Sequence, residues 1–457
     1  MDRIKSLDKI RIMAFIFIFV AIFGNIAIVD IHILGVVPTY YRVLTPILFL
    51  YILWRNKCHN EIDFAMKDNR IVSIFFAVIG LWIIYGFITL FISPWSSFGD
   101  GAKEILMLIL AAMNVYIIVY FMKEDCADII ILGIKISIVI LLIIGFFEIF
   151  TGKHLGTSMW SDPGYIERIE EFYKEDGVPK EVRYIATGIF YNPNDYCAFL
   201  SILSPVFLMY KSGGYKKIVV NHIMLFLVFV ILLIDDAWIC VVSLLLGAIA
   251  YLIIIKAPII RWVTVAGAFI IARLLGGAMI AGLSECLYKI FNNNIFKHSV
   301  AVSEVETAVL TQLDNMSQNQ GSLFLRINTY LESIKEMFLQ SKGLGLGAGS
   351  FGSYFGDIAE KKSMMSNPHS LWVEILVQYG VVIFLIFVIA LVIIFSKLVI
   401  KALKDNSEIY VVVIAMGVSF IFASFAPSSY LTNSYYWIPI GMALGVIDNN
   451  PRFQKKI

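Results

Sequence analysis

Residues 127–150 read ADIIILGIKISIVILLIIGFFEIF, and this run decides the fold class. It carries only Asp128, Lys135 and Glu148 as charges. Its length matches the roughly 20 residues a helix needs to cross about 30 Å of hydrocarbon. Runs of the same character recur near 10–29, 37–54, 71–92, 102–122, 187–210, 218–234, 237–255, 257–283, 370–395, 408–426 and 434–447. The 457-residue chain is 59% hydrophobic and 15% charged. A soluble domain usually carries about 25% charged residues. The expectation is an all-α, polytopic integral membrane protein of about twelve transmembrane helices, with residues 1–457 as a single membrane domain.

Lys and Arg sort to alternate sides of these runs, as short cytoplasmic loops require. One side holds Arg3, Lys5, Lys9 and Arg11; Arg55, Lys57, Lys67 and Arg70; and Lys123. The same side continues with Lys211, Lys216 and Lys217; Lys256 and Arg261; Lys397, Lys401 and Lys404; and Arg452, Lys455 and Lys456. The short connections near 30–36, 93–101, 235–236 and 427–433 have none. An even helix count with both termini cytoplasmic satisfies the pattern. It leaves two long segments outside, residues 151–186 and residues 284–368. In the second, Ile327, Tyr330, Leu331, Ile334 and Phe338 recur at helical spacing. They predict an amphipathic helix lying on the membrane or packed on the bundle, with Gly343 at its C-cap.

The composition excludes several classes of function. A net charge of +2 does not suit nucleic-acid binding. Five cysteines without a CxxC pair, and six scattered histidines, predict neither a disulfide framework nor a metal site. The first apolar run is too long for a cleaved signal and reads as a retained helix.

Four local features could carry chemistry. Asn367-Pro368-His369-Ser370 stands where the large loop re-enters the membrane. A neutral imidazole there suits proton abstraction from a hydroxyl, or simply caps the next helix. Arg326, early in the amphipathic helix, suits a phosphate or diphosphate, and equally a lipid headgroup. Gly347–Gly352 matches GxGxxG but follows a helix instead of a strand, so the dinucleotide reading fails. Its glycines fit a tight turn or close approach to a bulky substrate. Asn192-Pro193-Asn194-Asp195 reads best as a helix start. Among charges inside the apolar runs (Lys135, Glu148 and Arg273), Arg273 lies deepest.

In sequence order, Gly188-Ile-Phe-Tyr-Asn-Pro-Asn194 opens a span and a hairpin falls at Asp235-Asp236. Arg326, Gly343-Leu-Gly-Leu-Gly347 and Asn367-Pro-His-Ser-Leu-Trp-Val-Glu374 follow, leading to Tyr379-Gly380. This order resembles the O-antigen ligase and polymerase superfamily over residues 185–447, most closely its teichuronic acid biosynthesis polymerase branch. The resemblance implies a metal-independent, inverting glycosyltransferase in the bacterial cytoplasmic membrane, with no cofactor. It would take glycan from an undecaprenyl diphosphate-linked oligosaccharide on the outer face and polymerise repeat units onto an acceptor glycan. Ligation to another acceptor, or a polysaccharide flippase, is the alternative. Implied partners are the lipid bilayer and other polysaccharide assembly proteins, and no nucleic acid. Carried over by position, His369 is the base and Arg326 binds the diphosphate. Family members often place an arginine just after the hairpin; here that residue is Trp238, so either Arg183 or Arg273 substitutes as a substrate ligand, or the site binds differently, or the chain is impaired.

Overall fold

The computed structural model describes residues 2–24, 38–58, 70–172, 185–210, 215–291, 322–358, 365, 367–426 and 433–447. These residues form helices and no β-strand. In order they are α1 (Asp2–Phe23), α2 (Tyr40–Cys58), α3 (Arg70–Ile92), α4 (Phe98–Lys123) and α5 (Ala127–Thr151). Next come α6 (Pro163–Phe172), α7 (Pro193–Leu203), α8 (Tyr215–Ile234), α9 (Trp238–Ile254) and α10 (Ile259–Phe291). The last are α11 (Ser322–Ser341), α12 (Tyr354–Ile358), α13 (Leu371–Asp405), α14 (Glu408–Ala423) and α15 (Trp437–Ile447).

Six of the described helices are long and apolar enough to cross a membrane: α3, α4, α5, α8, α10 up to Leu283, and α13. Shorter apolar helices cover Trp238–Ile254, Glu408–Ala423 and Ser434–Ile447. The protein is therefore an all-helical, polytopic membrane protein.

Its contacts divide it into two compact units. The first comprises residues 1–134 and 322–457. Its centre is α4, with Leu108, Ala111, Ile117 and Phe121 fully buried, and α15 lies closely against it. Side chains at Gly441 and Gly445 would meet Ile118 and Met122 at 2.8 and 2.4 Å, so small residues set this helix spacing. The second unit, residues 135–321, packs α8 against α10 and α7 against α9.

Three expectations change in detail. The span expected near 187–210 is helical only over Pro193–Leu203 and tightens to a 3-10 turn at Ser204–Leu208. Pro205 lacks the N–H that would continue an α-helix there. The span expected to end near residue 283 continues to Phe291, so the segment 284–368 begins as helix. The amphipathic helix is present as α11 with an unexpected buried face. Thr329, Ser333 and Met337 are buried, while Ile327, Leu331 and Phe338 are exposed. A bilayer surface rewards that outward apolar stripe, whereas water would not. Lys342, at φ 53°, makes the left-handed turn after α11 ahead of Gly343.

Candidate active site

The site is built where α11 and α13 of the first unit converge. α13 is broken: Gly380 has φ 78° and ψ 174°, and the break frees carbonyls that a continuous helix would use. The glycine-rich loop takes them. The Leu346 N–H donates to the Val377 carbonyl (2.8 Å) and the Gly347 N–H to that of Gln378 (2.9 Å). In return the Val381 N–H donates to the Gly343 carbonyl (2.9 Å). A Cβ at Gly345 would stand 2.5 Å from the Gln378 oxygen, and one at Gly380 would stand 2.4 Å from the Leu344 carbonyl. Of the two sequence readings for these glycines, the tight turn is the one realised. The close approach is to the protein's own backbone.

Side chains fasten the same loop to the α3–α4 turn. Glu104 of α4 accepts from the Gly349 N–H (2.6 Å), the Gln378 amide (2.7 Å) and the Tyr379 hydroxyl (3.1 Å). The hydroxyls of Ser93 and Ser96 donate to the carbonyls of Leu346 and Ala348. Beneath the loop, Met337, Leu346, Phe351, Phe355, Val373 and Val377 form one apolar cluster. The first part of α13, up to its break, is therefore tied to the loop and to α4.

His369 stands one residue before Ser370, whose hydroxyl caps α13 by accepting from the Val373 N–H (3.4 Å). The His369 backbone is left-handed, φ 50°, a conformation that costs a non-glycine residue about 1 kcal/mol. An Asx turn holds it there: Asn367 Oδ1 accepts from the His369 N–H at 3.0 Å. The Tyr330 hydroxyl of α11 donates to the His369 carbonyl (3.4 Å), and the Met365 N–H donates to Thr329 Oγ1 (2.8 Å). Across the turn, the Leu371 N–H reaches the Ser424 carbonyl at the end of α14 (3.0 Å).

Burial and then the Arg326 charge lower the His369 pKa to about 4, opposed by a hydrogen bond to the Ala426 backbone. The imidazole is therefore neutral at physiological pH. Among the described residues its Nδ1 is buried and unpartnered, and so is Nε of Arg326. Two nitrogens of complementary use, one a proton acceptor and one a cationic donor, are thus buried without a partner, and the Arg326 charge is close enough to act on the ring. The Tyr330 hydroxyl is held in its protonated form chiefly by burial.

The other sequence candidates lie elsewhere. Arg183 lies outside the described residues. Arg273 belongs to the second unit and is exposed on α10. Its charge acts on Asp236, whose pKa burial raises and which Trp238 and Arg273 partly restore. Trp238 opens α9, is 48% exposed, and hydrogen-bonds Asp236. Of the remaining intramembrane charges, Lys135 donates to Asn221 Oδ1 (3.1 Å) and lies over the Phe207 ring (5.6 Å). Glu148 accepts from the N–H groups of Thr187 and Gly188, both at 2.7 Å. Glu104 and Gln378 escaped the sequence reading, although each is a polar residue set in an apolar run.

Fold and site together define a polytopic helical membrane protein with a histidine–arginine pair at the mouth of a broken span. Over its length the chain is similar to the teichuronic acid biosynthesis protein TuaE of Bacillus subtilis (strain 168): 26% identical over 459 residues, 95% of this chain and 84% of that protein. No family model matches the chain. The likeness to TuaE bears out the resemblance to teichuronic acid biosynthesis proteins and, covering 95% of the chain, reaches beyond residues 185–447.

Proposed function

We propose that the protein is a metal-independent, inverting glycosyltransferase. It would polymerise lipid-linked repeat units of a surface polysaccharide; its similarity to a teichuronic acid biosynthesis protein supports a role in making such a polysaccharide. Glycan comes from an undecaprenyl diphosphate-linked donor on the outer face of the cytoplasmic membrane, with both protein termini inside. The observation that carries the reading is the pair of buried, unpartnered nitrogens on His369 and Arg326. Nδ1 of His369 accepts the proton of the acceptor hydroxyl as its oxygen bonds to the anomeric carbon. The bond from that carbon to the diphosphate oxygen breaks, and its electron pair leaves with the diphosphate, which Arg326 binds. A diphosphate on Arg326 also neutralises one of the two influences that depress the His369 pKa, so donor binding itself strengthens the base.

The test is His369→Ala, followed through the lipid-linked glycans of cells that make the polymer. The expected result is normal protein level, lost polymer, and single repeat units accumulating on the outer face. Accumulation on the inner face would point to a flippase. Intact polymer with the variant present would remove His369 from the reaction. Ligation in place of polymerisation would show as full-length glycan left on its carrier.

A further inference from the structure

In the second unit, an open groove of about 740 Å³ runs between α8 and α10. Val219, Ile223 and Phe226 of α8 and Val263, Ala268 and Ile271 of α10 line it. A volume of this size lies within the range of specific ligand sites, and so apolar a lining, on two helices long enough to span a bilayer, suits an acyl chain. The lining contains no carboxylate. Where both helices begin, it becomes polar, with Arg261, His222 and Thr264. His222 is fully engaged: Nδ1 meets the Ile218 carbonyl at 2.7 Å and Nε2 meets Thr264 Oγ1 at 3.1 Å, which ties the two helices together. Arg261 lies over the Tyr210 ring, 4.4 Å from its centroid, and pairs with no carboxylate among the described residues. Lys216 and Lys217, on the first turn of α8, and Lys256, just before α10, are exposed at the same ends of these helices.

We infer that this groove is a binding site for an anionic glycerophospholipid of the inner leaflet, its acyl chain between α8 and α10 and its phosphate on Arg261. Charge complementarity selects the occupant. The positive end of the α10 dipole adds to the basic cluster, and the Lys/Arg pattern assigns these helix starts to the cytoplasmic side, where anionic lipids lie. A zwitterionic lipid fills the apolar part equally well and gains little from the cations. The site is separate from the proposed chemistry at His369.

The experiment uses the full-length purified protein, offered equal amounts of dioleoylphosphatidylglycerol and dioleoylphosphatidylcholine, with retained lipid counted by native mass spectrometry. The wild type is expected to retain the anionic lipid at least about fivefold over the zwitterionic one, and Arg261→Gln to bring the ratio close to one. Gly267, where an added Cβ meets nothing within 4 Å, lines the groove. Gly267→Leu is therefore expected to fill it without disturbing the fold and to lower retention of both lipids. Equal retention of the two lipids by the wild type overturns the proposal, as does an unchanged ratio in folded Arg261→Gln. If Arg261→Gln does not fold, the wild-type ratio and Gly267→Leu decide. None of these outcomes depends on glycan transfer, so they leave the reading of His369 to its own test.

Discussion

Two of the described helices are entered through an Asn-Pro pair, and they use it differently. At Asn192-Pro193 the asparagine is the N-cap: its side chain accepts from the Asp195 N–H at 2.9 Å, and proline occupies the first helical turn. The backbone leading in is closed by carboxylates. Asp235 Oδ1 accepts from the Ala186 N–H (2.9 Å), and Glu148 takes those of Thr187 and Gly188. Burial holds the Asp235 pKa well above the usual carboxylate range. At Asn367-Pro368 the asparagine turns back onto the His369 N–H instead, and capping passes to Ser370. One extra residue, in a left-handed conformation, is thereby held between proline and cap. That residue is His369, and its Nδ1 is open. A closed set of hydrogen bonds marks a structural joint, whereas a strained residue with an unpartnered nitrogen is what the proposed role of His369 rests on.

The largest effect that could break this contrast is kinetic. His369→Gln keeps the size and a polar group but cannot take a proton, and is expected to lower transfer by about 10²–10⁴-fold in a membrane assay with lipid-linked substrate. Unchanged transfer would make the two Asn-Pro turns equivalent. Arg326→Gln is expected to cost roughly 10²–10³-fold, the range for removing one electrostatic donor at developing negative charge. The paired asparagine variants sharpen the comparison. Asn367→Ala releases the turn that positions His369 and should cost about tenfold to a hundredfold in rate with little loss of thermal stability. Asn192→Ala should do the reverse, lowering stability by about 1 kcal/mol in a denaturation assay and leaving the rate per folded molecule alone. Identical profiles for the two would show that the second turn is merely another cap.

Much of this was legible in the sequence because a bilayer imposes its own length on a helix. The apolar runs located the described apolar helices, and the sidedness read from Lys/Arg alternation stands as a proposal. Hydropathy failed at residues 187–210 because it does not register that Pro205 ends an α-ladder. The period of Ile327, Tyr330, Leu331, Ile334 and Phe338 located α11 but not its buried face, which carries Thr329, Ser333 and Met337 while Ile327, Leu331 and Phe338 are exposed. His369 and Arg326 were readable as residue types at a membrane boundary. Their proximity was not, because it depends on the packing of α11 on α13. Nor was the Glu104–Gln378–Gly349 clamp, whose members come from three separated segments.

The smallest expected effect bears most directly on how His369 and Arg326 work together. In the free protein His369 titrates near 4, depressed first by burial and then by Arg326. It is neutral and competent above that value, and is lost as a base when pH falls through it. Donor diphosphate brings negative charge to Arg326, cancels the second influence, and so raises the value in the complex toward the ordinary histidine range. The pH profile of kcat/KM reports the free protein and that of kcat reports the complex. The acid limb of kcat is therefore expected at higher pH than that of kcat/KM. In Arg326→Gln the kcat/KM limb should itself move upward, because the repelling charge is gone, and the gap between the two limbs should narrow. Coincident limbs in the wild type would mean that Arg326 does not carry the diphosphate, whatever its proximity to the ring. A gap that survives Arg326→Gln would assign the diphosphate to another cation.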